Sequence, residues 1–255
     1  MKHTQILREF IRDCHDLLIN GSNSEIDTAS VYLEERRHLN HQTINTHNIG
    51  YCPKGFRIPS EIRSYGKDEN EACDYSRYIQ GRIVVPIFDE FGTAVGIGTR
   101  KPTTEKGHSW WNLSRPFQKG HHLFLLNLAR SKIFNANKVY LVEGYMDALV
   151  LNQFGITNVV AIMGTTLSLR HVSLIARYCD NVCICFDVDM NRSGQKGTNK
   201  SVQVLNRFGF CNSISILDLP VGVDPDEFII RNGKESFLER ENILDRAKIR
   251  EICSR

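Results

Sequence analysis

In the second half of the chain the hydrophobic period switches repeatedly. Lys138-Val139-Tyr140-Leu141-Val142 is a short apolar run of β-branched and aromatic residues, the pattern of a buried strand. Met146, Leu149, Val150 and Phe154 then recur at helical spacing, and Gly155 stops that helix. Asn158–Met163 predicts a second strand, Ser168–Tyr178 a second helix and Asn181–Phe186 a third strand. A polar Gly-rich loop, Asn191–Gly197, opens a helix running to Phe208, and Ser213–Leu217 makes a fourth strand. Short helical patterns follow at Glu227–Arg231 and from about Phe237 to Ile252. Strands alternating with helices over short connections predict an α/β fold, a parallel sheet flanked by helices.

The first half reads differently. Helices are predicted at His3–Asn20, around Val31–Arg37 and at His41–Thr46, and Glu61–Tyr75 is a polar loop or short helix. Arg82–Phe88 and Ala94–Arg100 flank the turn Asp89–Gly92 and predict an antiparallel hairpin, with Pro86 marking an edge or a bulge. Arg82 and Arg100 fall at its open end. A smaller α+β subdomain over 1–136, an α/β domain over 137–237 and a closing helix over 238–255 are therefore expected.

Composition narrows the class without naming a function. The 255 residues are 41% hydrophobic and 24% charged, as in ordinary globular chains, and no apolar run is long enough for a membrane helix. A net charge of +3 is too small to argue for a nucleic-acid partner by itself. Eight cysteines include no Cys-x-x-Cys pair, so no zinc site is expected, and reduced thiols in the cytoplasm are the default. Cys183 and Cys185 alternate within a buried strand and read as small core hydrophobes.

The acids carry the chemistry. Glu143 and Asp187 each follow a predicted buried strand directly, at the carboxyl edge where open α/β sheets bind ligands. Asp187 and Asp189 are two apart, so an extended segment points both to one side. A single acid after a strand is ordinarily a helix cap or a solvated loop acid. Three at one edge repel unless a cation sits among them, and oxygen donors suit Mg²⁺ or Mn²⁺. Asp224 and Asp226 add two acids at the same edge, for a second cation, its hydration shell or a helix cap.

Val142-Glu143-Gly144-Tyr145-Met146-Asp147, the Gly164-Thr165 turn and Phe186-Asp187-Val188-Asp189 resemble the TOPRIM domain of bacterial-type, DnaG-like DNA primases. Gly194, Leu219-Pro220 and Asp224-Pro225-Asp226 follow in the order of that family. The likeness extends backwards through Tyr32–Arg36, Ile49-Gly50-Tyr51, Arg82–Ile87, Gly96–Arg100 and Lys119-Gly120, and so covers about Tyr32 to Phe237. It implies a primase catalytic core that makes short RNA primers on single-stranded DNA from ribonucleoside triphosphates. Glu143, Asp187 and Asp189 would be its catalytic metal ligands, with Asp224 and Asp226 as further ligands and Mg²⁺ or Mn²⁺ as the ion. Arg36 and Arg82 would follow the template, while Arg100, Trp110, Lys119 and Asp147 would meet the incoming nucleotide.

A replicative helicase or a separate zinc-binding protein would be further partners, with no membrane involved, in the cytoplasm (the host's for a phage-borne chain). Gln80, Ser109 and Val188 depart from the family pattern, and its zinc-binding and helicase-docking modules find no match. Two alternatives stand beside this reading. One is a TOPRIM nuclease or topoisomerase-related enzyme cutting phosphodiesters with the same acids. The other is a non-catalytic replication accessory protein, which the intact acids disfavour.

Overall fold

The structure is a computed structural model that describes residues 2–63, 75–103, 110–112, 117–187, 193–210 and 213–254. Asp189, Asn191, Arg192 and most of the loop expected at 61–75 lie outside these residues. The chain divides into two compact units, Met1–Gln118 and Lys119–Arg255.

The first unit opens with α1 (Lys2–Asn20), α2 (Ser24–Val31), a π-helical turn (Tyr32–Arg36) and α3 (His41–Thr46). Next come β1 (Gly50–Cys52), α4 (Ser60–Arg63), a 3₁₀ turn (Ser76–Tyr78), β2 (Arg82–Phe88), β3 (Ala94–Arg100) and β4 (Trp111–Asn112). Asn23 and Asn40 start α2 and α3 because their side-chain oxygens accept the backbone N–H groups of the first turn. The strands form one antiparallel sheet in the order β1-β2-β3-β4.

The expected hairpin is present. It pairs Ile83 with Arg100, and β1 reaches only Arg82–Val84, so among the described residues Pro86 faces no strand on that side. The bulge lies between Ile87 and Phe88. The apolar stripe of α1, Leu7, Phe10, Ile11 and Cys14, shares a core with Cys52, Val84 and Ile97. Helix and strand approach so closely that a Cβ on Gly50 would lie 2.5 Å from the carbonyl carbon of Cys14.

In the second unit a 3₁₀ turn (Lys119–His121) leads to α5 (Leu126–Ala136), β5 (Lys138–Val142), α6 (Tyr145–Gln153), β6 (Val159–Ala161) and α7 (Leu169–Ile175). β7 (Asn181–Ile184), α8 (Ser193–Arg207), β8 (Ile214–Leu217), α9 (Pro225–Glu239), β9 (Glu241–Ile243) and α10 (Arg246–Cys253) complete it. The sheet order is β6-β5-β7-β8-β9, parallel except for β9. Val139, Leu141, Val182 and Ile184 pack with α5, α7, α8 and α10, while Tyr140 turns to the opposite face and meets Phe237 of α9. Helix α6 is buried on nearly every side, from Tyr145 to Leu151, because α9 covers it as well as the sheet. Gly155 ends the helix with φ near +87°, a conformation that favours glycine.

Two expectations are corrected. The units divide at Gln118/Lys119 and not at residue 136, because Leu126, Ala129 and Ile133 of α5 belong to the core of the parallel sheet. The closing helix over 238–255 is instead the end of α9, then β9, then α10. Glu241 explains the break: its carboxylate pairs with Lys138 and accepts hydrogen bonds from Tyr140 (3.3 Å) and Ser215 (2.5 Å), drawing the segment onto β8. Asp245 then restarts a helix by accepting the N–H of Lys248 at 2.7 Å.

The Gly50 contact is testable. Gly50→Ala should destabilise the protein by about 1–3 kcal/mol through overpacking, read as a lower urea midpoint; an unchanged midpoint would mean that α1 and β1 separate without strain.

Candidate active site

The second unit gathers acids at one sheet edge. β5 and β7 are parallel neighbours, with Leu141 in register with Ile184 and the N–H of Cys185 donating to Leu141 at 2.7 Å. Glu143 and Asp187 therefore leave adjacent strands at the same carboxyl edge, both half-buried. The order β6-β5-β7 means that successive connections from β5 depart in opposite directions, which opens a crevice at this edge. At the end of β6, Met163 adopts a left-handed backbone (φ 57°) before Gly164, a strained conformation of the kind held at ligand sites.

Asp147, expected at the nucleotide, also braces local structure. It is buried in the first turn of α6, and its Oδ2 accepts the N–H of Gly144 at 3.1 Å. Burial pushes its carboxyl well above the ordinary carboxylate range, and Asp226, Asp187 and Asp224 push it further in the same direction. Acids from three segments thus share one field. Asp224 is the exposed N-cap residue of α9, and Asp226 accepts the N–H of Glu227 at 2.7 Å. Among the described residues no three His, Cys, Asp or Glu side chains converge closely enough to hold an ion, and Asp189 lies outside them. The donor set is nonetheless that of a hard divalent cation, carboxylate oxygens in an excess of negative charge.

Lys119 is exposed and reaches the same edge. A Cβ on Gly164 would lie 3.1 Å from its Nζ. Behind it, His171 is 1% exposed. Its Nε2 lies 2.9 Å from the carbonyl oxygen of Lys119 and 3.0 Å from that of His122, and its Nδ1 accepts the N–H of Ser168 at 3.3 Å. These partners define a neutral ring with the proton on Nε2. Burial lowers its pKa.

The first unit holds the arginines. Arg82 is only 9% exposed, and its Nε has no hydrogen-bond partner among the described residues. Arg100 donates from Nε to the Tyr32 hydroxyl at 2.8 Å, and its guanidinium lies 5.9 Å from the Trp110 ring centre. Arg37 donates to the same hydroxyl at 2.9 Å, so Tyr32 orients two guanidiniums. Arg36, in the π-helical turn, is exposed. Tyr32 and His171 were not singled out in the sequence; the Ser168-x-x-His171 spacing at a helix start was the available signal.

Comparison with known proteins agrees with this layout. Residues 18–130 match the N-terminal domain of the DNA primase catalytic core, and residues 140–229 match a Toprim-like domain. A DNA primase of Clostridium acetobutylicum is 34% identical over 217 residues, 79% of this chain and 35% of that protein. The structure of the Aquifex aeolicus primase zinc-binding and RNA polymerase domains matches with a TM-score of 0.79 at 27% identity, covering 95% of this chain and 62% of that one. A DnaG primase catalytic domain bound to single-stranded DNA matches with a TM-score of 0.75 at 26% identity, covering 93% of this chain and 79% of that one.

The two halves together define a Toprim-bearing catalytic core. The chain belongs to the DnaG-like DNA primase family, which is divalent-metal dependent. It spans about a third of the length of the curated relatives it matches. No described helix is long and apolar enough to cross a membrane.

The His171 geometry sets a pH dependence. The unfolded chain takes up a proton near the ordinary histidine pKa of about 6.5, while the folded chain resists it. Stability from this group is complete above that pH and falls on acidification, with a slope of up to about 1.4 kcal/mol per pH unit. Urea midpoints between neutral and mildly acid pH should show this fall, and His171→Gln should lose that share of it.

Proposed function

We propose that this chain is a primase catalytic core that joins ribonucleotides on a single-stranded DNA template by metal-dependent nucleotidyl transfer. The observation that carries this reading is the emergence of Glu143 and Asp187 from neighbouring parallel strands, at the edge that Lys119 also reaches. Glu143, Asp187 and Asp189 would hold Mg²⁺ or Mn²⁺, with Asp224 and Asp226 alongside. When bound, the ions would offset triphosphate charge and favour ionisation of the attacking 3′-hydroxyl.

The chain's own residues supply position and counter-charge. Lys119 meets the triphosphate as a point charge, and Arg100, held by Tyr32 and flanked by Trp110, meets it as a planar fork. Asp147 serves the acid cluster from beneath and braces the first turn of α6. Arg82 takes a template phosphate: a largely buried guanidinium with an unmatched Nε–H favours an anionic ligand. Arg36 is a second, exposed template contact. The family likeness supports a helicase or zinc-binding partner and a cytoplasmic setting as parts of this reading.

The direct test supplies mixed single-stranded templates, labelled ribonucleotides and Mg²⁺ or Mn²⁺. Template-dependent oligonucleotides are expected; nicking of plasmid without synthesis would replace this reading with a nuclease. Arg82→Ala should lower the log–log salt slope of single-strand binding by about 0.7, and an unchanged slope and affinity would remove Arg82 from the template path. Asp187→Asn should keep the fold yet lose about a hundredfold or more in synthesis, since the ion's stabilisation is worth several kcal/mol at ~1.4 kcal/mol per tenfold. Millimolar Mg²⁺ should raise the wild-type melting temperature more than that of the variant. Synthesis at near wild-type rate would show the acids to be structural.

A further inference from the structure

We propose that His171 and Ser168 form a latch that positions Lys119, making His171 a positioning residue for nucleotide binding. The inference rests on the assignment of Lys119 to the triphosphate. Lys119 begins a short 3₁₀ turn, and its flexible side chain is exposed. An exposed lysine on a short turn has wide freedom unless its backbone is held, and the loss of that freedom on binding weakens the ligand.

The segment from Gly164 to His171 holds the turn at three carbonyls. His171 Nε2–H is shared between the carbonyl oxygens of Lys119, which starts the turn, and His122, which directly follows it. The Ser168 hydroxyl donates to the carbonyl oxygen of Gly120 at 2.5 Å, between them. The two latch residues also fix each other. His171 N–H donates to Ser168 Oγ at 3.0 Å, and Ser168 N–H donates to His171 Nδ1 at 3.3 Å.

Each polar atom of the imidazole therefore has a partner, and the ring has no proton to exchange with a substrate. Its burial at 1% exposure keeps solvent out of these bonds. The segment that supplies the latch also contains Gly164, over which the Lys119 ammonium passes. Backbone and side-chain head are thus referenced to the same stretch of chain at the end of β6. A residue that only filled core volume would need none of the four hydrogen bonds that His171 takes part in, and an apolar side chain would serve.

The test measures binding of a non-reactive nucleoside triphosphate analogue and of single-stranded DNA to the whole chain, together with melting temperature. His171→Ala should weaken analogue binding by about tenfold or more, the scale of a misplaced positioning group, while DNA affinity stays near wild type. His171→Gln, which can still donate to both carbonyls, should restore most of the loss. The double variant Lys119→Ala with His171→Ala should bind the analogue no more weakly than Lys119→Ala alone, because the latch acts through that lysine.

If His171→Ala folds poorly, Ser168→Ala removes the middle bond and should weaken analogue binding in the same direction. Losses that multiply in the double variant would overturn the latch, as would a lower melting temperature with unchanged analogue affinity. Wild-type analogue binding by Lys119→Ala would instead overturn the triphosphate assignment itself, a separate and recognisable failure.

Discussion

Repulsion among carboxylates is the constraint to which the second unit answers. Burial holds Asp147, in the first turn of α6, toward its neutral form, and the charges of Asp226, Asp187 and Asp224, from the start of α9 and the end of β7, push it further the same way. Such an arrangement costs stability in a chain without a cation. It persists because the surrounding structure is over-determined: strands of Val, Ile and Leu lie buried on both faces, and α6 is enclosed almost completely. A rigid frame that keeps like charges together is already organised for a cation, with little rearrangement left to make when one enters.

The first unit meets the opposite electrostatic problem, that of keeping guanidiniums aimed without neutralising them. A carboxylate beside Arg100 would orient it but cancel its charge. The Tyr32 hydroxyl accepts from Nε and leaves the positive charge available. Arg82 goes further, since burial removes it from competing water while its Nε stays unmatched among the described residues. Both devices use neutral surroundings to preserve attraction for an anion.

Much of this was legible in the sequence, for identifiable reasons. The β5–α6–β6 succession and the β2–β3 hairpin show clean changes of period, and Glu143 and Asp187 stand directly after apolar runs. The edge strand β9 was not legible. Its three residues are too short to display an alternation, and Glu241 and Asn242 resemble a helix surface until Lys138, Tyr140 and Ser215 are known to surround the former. The boundary expected at residue 136 placed the α5 segment in the wrong unit, because the local sequence does not name the partner that covers an apolar stretch. The burial of Asp147 was not legible because it depends on α9, far along the chain. His171 escaped for the same reason: the carbonyl it holds belongs to a residue 52 positions earlier.

The ion pair between Lys138 and Glu241 joins positions separated by 103 residues. Lys138 begins the second strand from one edge of the sheet, and Glu241 begins the strand that closes the other edge. On a ribosome, β5 therefore emerges long before its last long-range partner exists, and the sheet cannot be completed until nearly the whole unit has been made. Loop closure over such a separation slows folding. The first unit, whose antiparallel strands all precede residue 113, faces no such wait. Synthesis order thus assigns the two halves different maturation times, and the half that bears the acid cluster is the later one.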